Sequence, residues 1–192
     1  HRDNPLIPSG RSVFYKKFLQ RFHELPDNMP ASHYRSWVFI NYSYFIAGLI
    51  HFTWIFMFFL LGVTLLALFN IASTIIWAFA LYYNLKGYTR TGMALGNIEV
   101  VSHAWLATII IGWDTGFHYY IFALLMFYFL THWPMVHKIV LSAINCIMYI
   151  LLSYYFKTHT PVSAIDPMII NTFHYVNIAA FGFVLSVFAF HY

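Results

Sequence analysis

Charged side chains are scarce in this chain of 192 residues. Asp, Glu, Lys and Arg together make up 8% of it, whereas hydrophobic residues make up 61% and aromatic residues 22%. So few charges cannot coat the surface of a water-soluble globule of this length, which excludes that class and indicates that lipid is the solvent. Several apolar runs approach the ~20 residues that a helix needs to cross a bilayer. The sequence therefore predicts an all-α membrane protein.

Cysteine and the common catalytic motifs are also nearly absent. The single cysteine, Cys146, lies inside an apolar run, so an internal disulfide is excluded. No GxSxG, P-loop, HExxH or CxxC pattern occurs, which leaves no soluble-type catalytic motif in the sequence. No internal repeat is visible, and this argues against an inverted-repeat transporter. Any chemistry must then lie in the helical bundle or in a further part of the polypeptide.

The apolar runs predict a six-transmembrane-helix bundle over residues 36–192. A basic cytoplasmic segment over residues 1–35 precedes it. Within that segment, an amphipathic helix is predicted over about residues 12–25, either at the inner membrane interface or packed on the bundle or a partner. The predicted spans cover about residues 36–61, 63–85, 91–113, 117–136, 138–156 and 168–191.

Basic residues are divided unequally between the predicted loops. Of the 10 Lys and Arg residues, all but Lys157 fall in segments that this threading puts on one side of the membrane. Because basic residues mark the cytoplasmic side, both termini are predicted to be cytoplasmic, with the bundle in the inner (plasma) membrane. The net charge of +4 then reflects orientation and attraction to anionic lipid, with no nucleic-acid partner expected. Since Tyr192 lies inside an apolar run, we expect a longer protein.

Eleven histidines are present, and several lie where the hydrocarbon core is expected. Ionisable side chains at that depth are costly and mark candidate functional sites. At a rise of ~1.5 Å per residue, His51 and His103 lie at equal depth, and Glu99 lies one turn from His103 on the same helical face. Histidine and carboxylate at this spacing can bind a metal, although such pairs also form ordinary hydrogen bonds within membrane bundles. The candidate ligands for zinc, copper or iron, all in the outer half, are His51, Glu99, His103, Asp114, His118 and His174.

A haem b site is a competing interpretation of the histidines. Bis-histidine ligation needs two imidazoles at equal depth on facing helices, which His51 and His103 could supply. In the inner half, His132 and His191 could form a second pair. Under this alternative the chain is an electron carrier of the b-type cytochrome class, and with a bare metal it is a metal hydrolase.

Amide side chains are spread through or near the apolar runs as well. We interpret them as hydrogen bonds between helices in preference to a ligand site. They are Asn41, Asn70, Asn97, Asn145, Asn171 and Asn177.

The outer turn between the third and fourth predicted spans resembles a known family. Its sequence is Gly112-Trp113-Asp114-Thr115-Gly116-Phe117-His118-Tyr119-Tyr120. With the basic N-terminal helix and six short-looped spans, it resembles the membrane-associated sensor (MASE-type) anchors that precede bacterial nucleotidyl cyclases. The resemblance covers residues 36–192 and rests specifically on residues 112–120. It implies a homodimer whose sixth helix continues into a cytoplasmic adenylate or diguanylate cyclase domain.

The favoured function is therefore a sensory or regulatory anchor. A metal or a small or lipophilic ligand in the outer half would bias the helix arrangement, and the sixth span would transmit the change to the catalytic domain. Such a signal works only if the ligand binds two states with different affinity.

Overall fold

The computed structural model describes residues 10–27, 29–131 and 133–191, with the backbone alone for residues 10–15, 130 and 188–191. Within these ranges the regular elements are helices, joined by short loops, and no strand occurs. Two 3-10 turns, Ala31–His33 and Trp113–Thr115, lie in the loops. The α-helices are α1 (Gly10–His23), α2 (Tyr34–Leu60), α3 (Thr64–Leu85), α4 (Thr89–Ile111), α5 (Tyr119–Leu130), α6 (Met135–Tyr155) and α7 (Pro167–His191).

Five helices, namely α2, α3, α4, α6 and α7, are long and apolar enough to cross a bilayer. Their outward faces carry exposed large hydrophobic side chains such as Leu60, Ile98 and Phe183. Polar side chains, among them Asn70 and Glu99, are buried between the helices. Apolar surface on this scale is rare on soluble monomers and is expected where lipid is the solvent. The prediction of an all-α, multi-pass membrane protein is confirmed.

The region predicted as the fourth span has a different structure. The sequence predicts a span over residues 117–136, but α5 contains 12 residues. Such a helix is about 18 Å long, whereas the hydrocarbon core is about 30 Å thick. Before α5, Gly112 and Gly116 have φ angles of 107° and 82° and hold the chain in a turn. After α5, the chain is extended at Thr131, and Pro134 has no backbone N–H to continue a helix.

α3 and α4 approach each other closely at two glycines of α4. A methyl group at Gly92 would lie 2.8 Å from the backbone oxygen of Ala80, and one at Gly96 would lie 3.1 Å from the Trp77 ring. The two glycines are four residues apart, which is the small-xxx-small spacing that lets membrane helices approach. This pattern is visible in the sequence, but it did not enter the span prediction.

Replacing Gly92 with alanine should destabilise the bundle, because the new methyl group meets a backbone atom that cannot move aside. We expect the free energy of unfolding to fall by about 1–3 kcal/mol, as in other overpacked interiors. The thermal unfolding midpoint in detergent measures the change. Gly182→Ala is the matched control, since nothing lies within 4 Å of the methyl group added there. Equal midpoints for the two variants would contradict the close contact.

α1 packs against α2 at its C-terminal end. Phe22 is fully buried, and its ring meets those of Tyr42 and Phe45 edge to face, with centroids 5.2 and 5.8 Å apart. The Nδ2 of Asn41 donates to the carbonyl oxygen of Phe22 at 3.2 Å, which satisfies one of the free carbonyl groups at the end of α1. Of the placements expected for this helix, the structure shows packing on the bundle. A position at the membrane interface stays a prediction.

Five of the six asparagines singled out in the sequence form hydrogen bonds that connect the helices with one another or with the outer turn. The Nδ2 of Asn84 donates to the Oδ1 of Asn41 at 2.8 Å and joins α3 to α2. The Tyr128 hydroxyl on α5 donates to Asn97 on α4 and accepts a hydrogen bond from Asn145 on α6 at 2.8 Å. The sixth asparagine is exposed on α7. The interpretation of these amides as links within the bundle is confirmed for the five.

Candidate functional site

A buried ion pair joins α2 to α4. The Nε2 of His51 lies 3.4 Å from the Oε1 of Glu99. Glu99 is 0% exposed, and the side chain of His51 is 12% exposed. An unpaired carboxylate at such a position carries a penalty of several kcal/mol. His51 therefore stabilises the one acidic side chain placed in the middle of α4.

Asn70 on α3 fixes the protonation of the other ring nitrogen of His51. Its Nδ2 donates to the carbonyl oxygen of Leu66 at 2.7 Å, which leaves its Oδ1 for His51. The Nδ1 of His51 lies 2.8 Å from that oxygen and must donate to it, because an amide oxygen only accepts. The Nε2 of His51 is then the nitrogen that faces the Oε1 of Glu99, at 3.4 Å.

His103, one turn along α4 from Glu99, contacts the same histidine. The ring centroids of His51 and His103 are 4.7 Å apart in an edge-to-face arrangement. The Nε2 of His103 is buried and has no hydrogen-bond partner among the described residues, and the same is true of both carboxyl oxygens of Glu99. Ser73 and Trp77 on α3 lie near the carboxylate but outside hydrogen-bonding geometry. We call His51, Ser73, Trp77, Glu99 and His103 the polar cluster. It brings several unpaired hydrogen-bond donors and acceptors together in one buried region.

Ser73 and Trp77 were not among the candidates taken from the sequence. Asn70, Ser73 and Trp77 occupy positions i, i+3 and i+7 of α3 and so lie on one face of that helix. A serine or a tryptophan alone is ordinary in a membrane helix. The signal that could have identified them is their shared face with Asn70.

Two of the predicted metal ligands have the spacing of metal ligands. Donors 2.0–2.1 Å from a tetrahedral ion lie about 3.3 Å apart, and the Nε2 of His51 and the Oε1 of Glu99 are 3.4 Å apart. In the described parts of the chain, no group of three or more His, Cys, Asp or Glu side chains is placed to hold one metal ion. His103 touches His51 and is the candidate for a third ligand. A metal site formed by these three residues stays a prediction.

The other three predicted ligands lie at or beside the outer turn. His118 is buried and stacks on Trp113, with ring centroids 3.8 Å apart. It interacts electrostatically with His174 on α7, and the Nδ1 of each histidine is buried without a hydrogen-bond partner in the described ranges. Asp114 is exposed. The sequence predicts one converging group of ligands, whereas no three of the six side chains, all of them described, are placed to hold one ion.

The two central histidines are not arranged as haem ligands. Bis-histidine ligation places the iron and its macrocycle between two imidazoles. The rings of His51 and His103 instead touch each other edge to face. His132 lies outside the described residues, as does the side chain of His191, so the second haem pair stays a prediction.

Asn177 attaches α7 to the outer turn. Its Nδ2 donates to the carbonyl oxygen of Thr115 at 2.8 Å, and its Oδ1 accepts a hydrogen bond from the Tyr120 hydroxyl at 2.9 Å. Asn177 is 1% exposed, so both bonds are shielded from competing water. Gly116 leaves room here, because a methyl group added to it would lie 2.9 Å from the Tyr119 ring and 3.4 Å from the Cβ of Asn177. The turn and α7 are thus held as one unit.

Phe117 connects the outer turn to the polar cluster. Its ring centroid lies 5.8 Å from that of His103 on α4 and 6.0 Å from that of Phe173 on α7. Phe117 and Phe173 are both buried in one hydrophobic core with Phe58 of α2. Phe117 therefore contacts both His103 of the polar cluster and Phe173 of α7, so a movement of His103 would act on a residue that packs against α7.

A groove of about 630 Å³ lies between α1, α2 and α3. Its lining is mostly apolar and aromatic and includes Phe18, Tyr44, Phe52 and Trp77, and Arg21 is the one basic residue among the described residues that line it. Trp77 belongs to both the groove and the polar cluster, since its ring also stacks over His51 with centroids 6.3 Å apart. A lipophilic molecule in the groove would touch the residue that lies beside Glu99.

Comparisons with protein families, with curated proteins and with solved structures gave no match to this chain. Its class therefore rests on composition and fold. The chain is an all-helical, multi-pass membrane protein with a buried polar cluster between α2, α3 and α4.

Proposed function

We propose that this bundle is the membrane-embedded sensory or regulatory anchor of a cytoplasmic nucleotidyl cyclase. A small or lipophilic ligand, or a metal ion, would bind two helix arrangements with different affinity. α7 would pass the resulting change to a catalytic domain that follows Tyr192. The likeness of residues 112–120 to the MASE-type anchors is the starting point, and it leaves open an adenylate or a diguanylate cyclase.

The attachment of α7 to the outer turn is the observation that carries this proposal. Asn177 is bound on both sides, to Thr115 and to Tyr120. If the turn moved without α7, two polar groups would lose their partners in an apolar interior, at about 1–3 kcal/mol each. A displacement of the turn is therefore expected to move α7, the helix that would lead to the catalytic domain.

The polar cluster supplies the part that could exist in two states. A ligand in the groove would contact Trp77, which lies beside Glu99. A shift of Trp77 would alter the surroundings of the contact between His51 and Glu99, which joins α2 to α4. From there, His103 and Phe117 give continuous contact to α7. The proposal requires that the ligand and the catalytic domain bias the same two states of the bundle.

The proposal includes six spans, with α5 and its flanking turns as the fourth, and with both termini in the cytoplasm. It includes a homodimer, because two cyclase domains must meet to form one active site. Single cysteines introduced in a Cys146→Ala background test the orientation. A membrane-impermeant reagent applied to intact cells should modify Lys157→Cys and leave Lys86→Cys unmodified. Modification of position 86 from outside would contradict the threading.

An intramembrane metal enzyme is the second candidate function, favoured by the 3.4 Å spacing of His51 Nε2 and Glu99 Oε1. A bound zinc, copper or iron ion would act as a Lewis acid or activate a water molecule. Metal analysis of the purified protein beside His51→Ala and His103→Ala tests this candidate. Equal metal content in all three would exclude both histidines as essential ligands.

The full-length protein tests the anchor proposal. We expect the polypeptide after Tyr192 to be a cyclase domain, and membranes containing the full-length protein to make cyclic AMP from ATP or cyclic di-GMP from GTP. Both products can be measured in one assay with each nucleotide added in turn. A reading frame that stops at Tyr192, or a following domain of another kind, would contradict the proposal.

A further inference from the structure

A second cavity, of about 260 Å³, lies at the end of the bundle where α3 turns into α4. It is lined by the segment before α2, the first turns of α2 and α4, the end of α3 and the loop after α5. A cavity of this size holds several water molecules and is large enough for a phosphate group with a small attached alcohol. The polar and basic residues that line it are His33, Ser36, Asn84, Thr89, Arg90 and Thr131.

The charge around this cavity favours an anion. Arg90 lies at its wall, and none of the described residues lining it is Asp or Glu. α4 begins at Thr89, and the residue before it, Tyr88, makes no side-chain cap. The first N–H groups of a helix have no partners within the helix and carry its partial positive charge. Helix N-termini of this kind bind phosphate groups.

Trp37 gives an independent sign of a ligand. It lines the cavity and is 3% exposed, and its indole Nε1 is buried without a hydrogen-bond partner among the described residues. An indole nitrogen only donates, so its missing partner must be an acceptor such as a phosphate oxygen. Asn84 also lines the cavity, and its buried Oδ1 has no partner either, whereas its Nδ2 is bound to Asn41. That oxygen would accept a hydrogen bond from a hydroxyl group of the same ligand.

We propose that this cavity binds a phosphate group, either in a lipid headgroup or in a small soluble phosphate. Arg90 and the first amides of α4 would neutralise its charge, and Trp37 would donate to one oxygen. The inference does not depend on the cyclase proposal, because it uses neither the polar cluster nor the outer turn.

Binding can be measured on the full-length protein in an uncharged detergent. Inorganic phosphate is titrated against the intrinsic fluorescence of tryptophan, since Trp37 and Trp133 line the cavity. Phosphatidic acid and phosphatidylcholine are compared by native mass spectrometry. We expect Arg90→Gln to weaken phosphatidic acid binding about tenfold or more, because it removes a charge-assisted hydrogen bond. Trp37→Phe should weaken binding without a change in charge.

Lys86→Gln is the matched control, because Lys86 is an exposed cation near the α3–α4 loop and does not line the cavity. Binding of phosphatidic acid alone would identify a lipid headgroup, and competition by inorganic phosphate would identify a site open to soluble phosphates. Either result supports the proposal if Arg90→Gln weakens the binding and Lys86→Gln does not. Equal loss of binding in both variants would show that the anion is only attracted to the basic surface, and it would overturn the proposal. So would the absence of binding by either probe, or full binding in Arg90→Gln.

Discussion

Replacing His51 with alanine is expected to cost about 3–5 kcal/mol of unfolding free energy, the range for removing one partner of a buried ion pair. The carboxylate of Glu99 stays fully buried in this variant but loses the imidazole 3.4 Å away. Asn70 also loses the partner of its Oδ1. The thermal unfolding midpoint in detergent can be followed with a thiol-reactive dye, since Cys146 is the single cysteine. A midpoint equal to that of the unmodified protein would contradict the buried pair.

A double-mutant cycle separates the ion pair from the general effect of a cavity. Glu99→Gln removes the charge of the carboxylate and keeps most of the volume of the side chain. In that background, His51→Ala should lower the free energy of unfolding by less than it does in the unmodified protein. We expect a coupling energy above about 1 kcal/mol, which is outside the range for independent sites. Strictly additive midpoints would indicate that His51 acts by packing alone.

Replacing Asn177 with leucine is expected to release α7 from the outer turn. The change leaves the Thr115 carbonyl and the Tyr120 hydroxyl without their present partner. Each unsatisfied buried group costs about 1–3 kcal/mol, so the combined loss should exceed about 2 kcal/mol. Hydrogen exchange measured by mass spectrometry should show faster exchange in α7, with little change in α3.

Asn171→Leu is the control for this variant, because Asn171 is an exposed asparagine on the same helix. It makes the same chemical change without touching the outer turn. We expect its exchange pattern and midpoint to match those of the unmodified protein. Equal exchange rates in α7 for both variants would show that Asn177 does not hold the helix.

The features that depend only on hydrophobic runs and on spacing along a helix could be predicted from the sequence. Hydrophobic runs indicated the membrane class, and a rise of ~1.5 Å per residue placed His51 level with His103. A four-residue spacing put Glu99 on the same face as His103. These residues are in contact in the structure. Depth and spacing along a helix are properties of the chain itself, and they can be read without knowing which helices are neighbours.

The rest depends on how the helices pack, which a single sequence does not show. Depth does not give the direction in which a side chain points around its helix. For this reason the six candidate ligands were predicted as one group, although no three of them are placed to hold one ion. The short α5 was predicted as a full span because the predicted segment, residues 117–136, ran on through Pro134 into the start of α6. The glycine turn before α5 and Pro134 after it decide its length.

The central claim is that the outer turn controls a catalytic domain through α7. It is tested most directly by the rate of cyclic nucleotide synthesis in membranes containing the full-length protein, measured for the unmodified protein, Asn177→Leu and Asn171→Leu at matched expression. The account predicts that Asn177→Leu changes the rate about fivefold or more, the lower end of typical allosteric coupling. It predicts no change for Asn171→Leu. Equal rates in all three proteins would contradict the claim that the bundle regulates the domain.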